Sequence, residues 1–333
     1  MKKIMFMLVA VAAMASSCTQ SDVIGLSSDD NVEIRVSAGI TSAVSPSTRA
    51  VVDGMINSGF TTDLDVAFAR ADEGVSAYGD YGGTALVGTV AHAGKTLSFA
   101  PAEYYLVSGK KTKLIGWYPR RSGVSYTQGT RVVDFGEIDG KTDLMATVLY
   151  EGSKGTKISS ITFNHLLTQF SIKVYAPDAA AQGLWGTVSS IKIAEKKQTC
   201  TITLPAATET ANTAAAPTFT GNSDLDLVKT DLTTSPATIT YPLTLGVGTA
   251  ANAAQAGYAM FAPQTAGNVV LKIELSSGVT QTVNVPVPTT PTPAGFLHGH
   301  AYEITLKFSS SAITPTVSVV DWVPVTNTPE VEI

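Results

Sequence analysis

Residues 161–176 read ITFNHLLTQFSIKVYA. Ile161, Phe163 and Leu167 stand at odd positions, while Phe170, Ile172 and Val174 stand at even ones. A strand sends successive side chains to opposite faces, so a change of parity near Thr168 predicts a bulge or a bend. A bend of that kind carries the chain from one sheet to another. The stretch therefore predicts an all-β protein with more than one sheet.

The same two-residue period recurs outward in both directions. NVEIRVSA (31–38) places Val32, Ile34, Val36 and Ala38 on one side. LDVAFAR (64–70) alternates through Leu64, Val66 and Phe68. GTALVGTV (83–90), KTLSFA (95–100), KLIGWYP (113–119) and TDLMATVLY (142–150) are further short strands. VVLKIELSSGVTQTVNVPV (269–287) reads as a hairpin turning at SSG, with Val269, Leu271, Ile273 and Leu275 alternating on its first arm and Val279, Val283, Val285 and Val287 alternating back on one face of its second. HAYEITLKFS (300–309) and TPTVSVVDWVPV (314–325) are the last strands. TSAVSPSTRA (41–50), AATETANTAAAPTFTGNSD (206–224) and PTTPTPAG (288–295) read as loops. No amphipathic helix of ten residues is expected. Many short strands between Gly and Pro turns mean sandwiches.

Charged residues make up 15% of the chain and hydrophobic ones 44%. The charged share lies well below the usual ~25%, the profile of an exported β-protein with a hydroxyl-rich surface. A net charge of −5 and the lack of a basic block argue against a nucleic-acid groove. Lys110, Lys111, Lys113, Arg120 and Arg121 form the densest basic patch, read as a solvated strand edge.

The N-terminus carries Lys2 and Lys3, then an uncharged run from Ile4 to Ala13, then Ala15, Ser16, Ser17 and Cys18. This is the order of a secretory signal, with an apolar core too short to span a bilayer. It resembles a bacterial lipoprotein signal, in which the cysteine is acylated and becomes the first mature residue. Ala15 departs from the Leu usual at that place. The resemblance implies residues 1–17 as signal peptide, Cys18 as lipidation site and 18–30 as tether. The other cysteine, Cys200 in TCTITLP (199–205), shares a strand face with Ile202 and Leu204 and reads as a small core residue.

Few motifs carry chemistry. GKT occurs at 94–96 and 140–142, but Thr89 and Phe135 stand where a phosphate loop needs glycine. His298 and His300 could form half of a metal site, yet no third ligand suggests itself, and no metal or cofactor is expected. His165, among Phe163, Leu166 and Leu167, reads as a core-edge histidine. Tyr104, Tyr105, Trp117 and Tyr118 could floor a sugar site, although aromatics at strand spacing usually belong to a core.

Several segments together resemble the fimbrillin family of the Mfa-like kind, subunits of type V pili. They are STRA (47–50), PAEYYLVSGKKTKLIGWYP (101–119), TDLMAT (142–147), ITFNHLLTQFSIKV (161–174), GYAMFAPQT (257–265) and F-x-x-G-x-x-Y-E-I-T-L (296–306), with DW at 321–322. The resemblance implies two tandem transthyretin-like β-sandwich domains, set here at 31–158 and 159–333, and no enzymatic activity. It also implies export as a lipoprotein to the outer membrane, followed by a trypsin-like maturation protease cutting between Arg49 and Ala50. The cut would release the first strand (Val32, Ile34, Val36), and a neighbouring subunit's strand would take its place in a fimbrium. A donor strand in this chain would include Val317, Val319 and Val323. A host or bacterial surface ligand is open, as is the competing reading of a monomeric surface lipoprotein that binds glycans.

Overall fold

The computed structural model describes residues 31–40, 62–232, 237–289 and 293–320. Cys18, Arg49, Ala50 and Val323 lie outside them.

The first sheet contains eight strands in the order β2 (Leu64–Asp72), β3 (Leu86–Val90), β4 (Thr96–Phe99), β1 (Val36–Ile40), β10 (Ser160–His165), β8 (Met145–Thr147), β5 (Thr112–Tyr118) and β9 (Tyr150–Gly152). Because β2 also pairs with β5, the sheet closes on itself, leaving β9 attached to β5. β2 and β5 are buried on both faces, the inner by closure and the outer by a second sheet laid against them. Val66, Phe68 and Leu114 point into one core with Ile34, Val36, Leu97, Phe99, Ile161 and Phe163. Ala67, Ala69, Ala71, Ile115 and Trp117 point the other way, into a second core.

That second core is covered by a seven-stranded sheet built on β12 (Thr187–Thr203), a strand of 17 residues. Its C-terminal half pairs with β7 (Val132–Glu137), which pairs with β6 (Ser125–Thr127). Its N-terminal half pairs with β17 (Asn268–Leu275) and β14 (Leu243–Thr244), and β13 (Ala216–Asp226) follows its other edge. Strands from before and after residue 158 thus share one sheet. Cys200, Ile202 and Leu204 are fully buried in the second core, the face the sequence assigned them. Burial first, and then the Asp134 carboxylate, push the Cys200 thiol up to about 12.

The parity switch marks a change of sheet. Ile161, Phe163 and His165 are buried on β10, whereas Phe170, Ile172, Val174 and Ala176 are buried on β11 (Thr168–Ala176). β11 sits in a separate five-stranded sheet between β16 (Ala254–Phe261) and β19 (Ala301–Phe308), and β20 (Ile313–Val320) pairs with the far side of β19. β15 (Gly246–Val247) pairs with the end of β11. This sheet packs on the N-terminal half of β12, on β17 and on β18 (Thr280–Pro286) to form a third core. Phe170 lies at its centre, edge-on to Phe261 and Phe296 with ring centroids 4.7 and 4.6 Å away. The one α-helix among the described residues, α1 (Ala179–Trp185), is capped by Asp178, whose carboxylate accepts from the Ala181 amide at 2.8 Å.

Three sequence expectations need correction. Residues 216–224, the second half of the expected loop, form most of β13; its side chains are mostly exposed, so no apolar alternation announces the strand. Lys113 is not solvated: its ammonium donates to the carbonyls of Ala207 at 2.9 Å and Glu209 at 2.6 Å and sits 4.0 Å over the Tyr78 ring. Val279 is not buried with Val283 and Val285; it stands beside the hairpin turn, 48% exposed.

Candidate functional site: the seat of the first strand

Residues 32–40 complete the first sheet from its interior. On one side β1 runs antiparallel to β4, with Val36 opposite Leu97. The pairing continues upstream, where Ile34 N donates to Glu103 O at 2.7 Å and Tyr105 N donates to Val32 O at 2.9 Å. On the other side β1 runs parallel to β10, from Ser37 opposite Ser160 to Ile40 opposite Phe163. A strand bonded along both edges satisfies its own backbone and that of two neighbours.

The alternation read from the sequence is seen here as burial. Ile34, Val36 and Ala38 are 1%, 2% and 0% exposed, Ile40 is buried, and Val32 is half-buried at the edge of the same core. Arg35 and Glu33 take the opposite face and pair with each other at 2.8 Å. The seat is floored by an aromatic group in which Phe68 stands edge-on to Phe99 and Phe163, centroids 5.4 and 5.9 Å apart. Gly116 makes room for it, since a Cβ there would lie 2.4 Å from Phe68 Cε1. Tyr105 is buried beside the seat, and its hydroxyl accepts from the Ile158 amide at 2.9 Å. Arg70 closes the rim, donating to Glu103 at 2.6 Å and to the Tyr104 carbonyl at 2.9 Å.

The other strand singled out by the sequence, β20, is bonded to β19 along its whole length, from Ile313 opposite Phe308 to Val320 opposite Ala301. Val317 and Val319 are half-buried against the third core. β20 ends the order of its sheet, so its outer edge has no pairing among the described strands.

The remaining candidates separate. Tyr105 and Trp117 enter different cores and Tyr104 is 43% exposed, so the four aromatics build no common platform. His165 is 4% exposed, with Nδ1 2.6 Å from an Asp143 oxygen, a buried pair beside the change of sheet. Among the described residues no three His, Cys, Asp or Glu side chains converge on a point. What sequence reasoning missed is the cleft between β5 and β6, where Trp117 meets Tyr126 at a centroid distance of 5.4 Å. Nothing in the spacing of the two residues announced that contact.

Comparison with known proteins gives these features a family. The profile of the fimbrillin-like family matches residues 48–322, and the chain belongs to that family. Among solved structures, a protein from Bacteroides uniformis assigned to cell adhesion superposes with a TM-score of 0.53 at 18% identity, over 88% of this chain and 100% of that one. A second protein so assigned, from Bacteroides ovatus, gives 0.52 at 17%, over 88% and 99%. At such identities these two likenesses bear on the fold, which is all-β and sandwich-like. No curated protein matches the chain. Family membership supports a role as a pilus subunit or in adhesion at the cell surface, in company with other pilus subunits and structural rather than catalytic.

Proposed function

We propose that this chain is a non-enzymatic fimbrillin subunit, exported as a lipoprotein through Cys18 and assembled by strand exchange after cleavage between Arg49 and Ala50. The observation that carries the reading is the seat itself. One strand near the N-terminus, bonded on both edges and buried through Ile34, Val36 and Ala38, completes the first sheet. Its removal opens a groove with unpaired backbone on two walls and apolar pockets on the floor, which is what β-augmentation by another strand requires. Donation from head to tail does not close on itself and gives filaments. The lipid delivers the precursor to the outer membrane, where two or three acyl chains, at about 0.8 kcal/mol per buried methylene, hold it firmly. The cut then frees the subunit from its anchor. The chain is read as two sandwich units in tandem, 31–158 and 159–333, with β12 as their shared strand. A donor that includes Val317 and Val319 must first leave β19.

Trypsin-like digestion of purified precursor tests the reading. Wild type should yield a ladder of SDS-resistant oligomers, and Arg49→Ala should not, because the uncut strand keeps the advantage of its tether. Equal ladders from both, or none from either, would leave the monomeric glycan-binding lipoprotein as the better account.

A further inference from the structure

The closed first sheet has a seam opposite the seat. Going round it from β1, the strands β4 and β3 lead to β2 on one side, and β10 and β8 lead to β5 on the other. Without β1 the sheet is two half-sheets. The pairing of β2 with β5, from Ala67 opposite Trp117 to Asp72 opposite Thr112, is the one strand pairing among the described residues that still joins them. That seam is then the hinge that sets the width of an empty seat.

A strap lies across the hinge. Residues 204–215, between β12 and β13, run over the outer face of the sheet and are held at three places in turn. The Tyr81 hydroxyl, on the connection from β2 to β3, donates to the Pro205 carbonyl at 2.9 Å, and Gly82 N ties that connection to β2 by donating to Arg70 O at 2.9 Å. Lys113, on β5, donates to the carbonyls of Ala207 and Glu209. Between β8 and β9, Leu149 O accepts from Asn212 N at 2.7 Å and Leu149 N donates to Thr213 O at 2.8 Å. The strap therefore passes from the β2 side of the seam to the β5 side. Lys113 also bridges the seam itself. It is 3% exposed and stands opposite Ala71 of β2, with its ammonium over the Tyr78 ring of the β2–β3 connection and 3.7 Å from Glu151. A buried ammonium is retained only where acceptors meet it, and two of these acceptors are the strap's own carbonyls.

We propose that this strap, pinned by Lys113, is a hinge lock that holds the two half-sheets at the spacing of the seat while one strand leaves and another enters. Its use rests on the strand-exchange reading, whereas the lock itself is measurable in the uncut chain.

The first measurement is amide hydrogen exchange of the uncut full chain by mass spectrometry. Lys113→Met keeps an unbranched side chain and removes the ammonium. Amides of β2 and β5 should then exchange at least about tenfold faster, the loss expected for hydrogen bonds from a charged group, while those of β17 and β18 keep their wild-type rates. Tyr81→Phe removes only the bond to Pro205 and should speed the same amides about threefold to tenfold. In the second measurement each protein is digested with a trypsin-like protease and offered a labelled peptide with the sequence of residues 31–40. Lys113→Met should capture about tenfold less of it than wild type. No capture by wild type would overturn the strand-exchange reading, with the lock then decided by the amide rates alone. Unchanged rates at β2 and β5 in both variants, equal acceleration at β17 and β18, or equal capture by wild type and Lys113→Met would overturn the proposal.

Discussion

Ile34→Ala probes the seat of the first strand directly. Ile34 is 1% exposed in the core that holds Phe68, Phe99 and Phe163. Truncating a fully buried isoleucine costs about 2–5 kcal/mol, and the upper half applies where neighbours cannot collapse into the gap. Here the backbone is pinned on both sides, by Glu103 O at 2.7 Å from Ile34 N and by β10 along the following residues. Collapse is therefore restricted, and a loss above about 3 kcal/mol is expected. Each 1.4 kcal/mol is about tenfold in an equilibrium, so strand retention after a cut at Arg49 should fall by at least about a hundredfold. The control is Arg35→Ala, one residue on. Its side chain is 67% exposed and its ion pair with Glu33 lies at the surface, so the change should stay within about 0.5 kcal/mol. Urea unfolding of the uncut chain reads both, as a lowered midpoint at unchanged slope. Equal midpoints for the two variants would refute the claim that this strand is a seated part of the core.

Cys18→Ala should move the protein from the detergent phase to the aqueous phase in a partition assay; a variant that still enters detergent rules out the lipid anchor. Limited proteolysis should leave β7 and β12 in one fragment, because they are bonded from Glu137 opposite Thr199 to Val132 opposite Thr203; their early separation by size exclusion would count against the shared strand. The hydrogen bond from Lys111 holds the Glu151 carboxyl below its ordinary value, with a smaller hydrogen bond from Tyr78 and the charges of Lys111 and Lys113 acting the same way against burial. A depressed folded value contributes stability above the unfolded pKa, near 4.3, that is lost as pH falls through the folded one. Glu151→Gln should therefore flatten the acid limb of a stability–pH curve below about pH 4.5, and an unchanged limb would show that the pair contributes nothing.

How much was legible depends on what the sequence encodes locally. The alternation of Val32, Ile34 and Val36 and the parity switch at Thr168 are one-dimensional signals, and they correspond to burial and to a change of sheet. β13 was not legible because its Thr, Ser and Gly residues face solvent on most positions, and its pairing with β12 is carried by backbone. The interior position of β1 was hidden as well, since its partners Leu97 and Ser160 are set by pairings distant along the chain. Lys113 reads as a surface cation because nothing near it in sequence names the Ala207 and Glu209 carbonyls that accept its hydrogen bonds. The Trp117 and Tyr126 cleft likewise comes from a hairpin folding back on β5, a contact with no periodicity to reveal it.

β12 also bears on how the molecule carries tension. Its 17 residues run beside β7 at one end and β17 at the other, so a load applied along β12 is carried lengthwise from the second core to the third, with β16 also contributing side chains to both. Strands loaded along their length resist in shear, where several hydrogen bonds must yield together, whereas strands peeled from an end yield one bond at a time. Resistance to such loading is a matter of unfolding rate more than of equilibrium stability. Cores joined in this way are expected to yield together under such a load rather than one after the other.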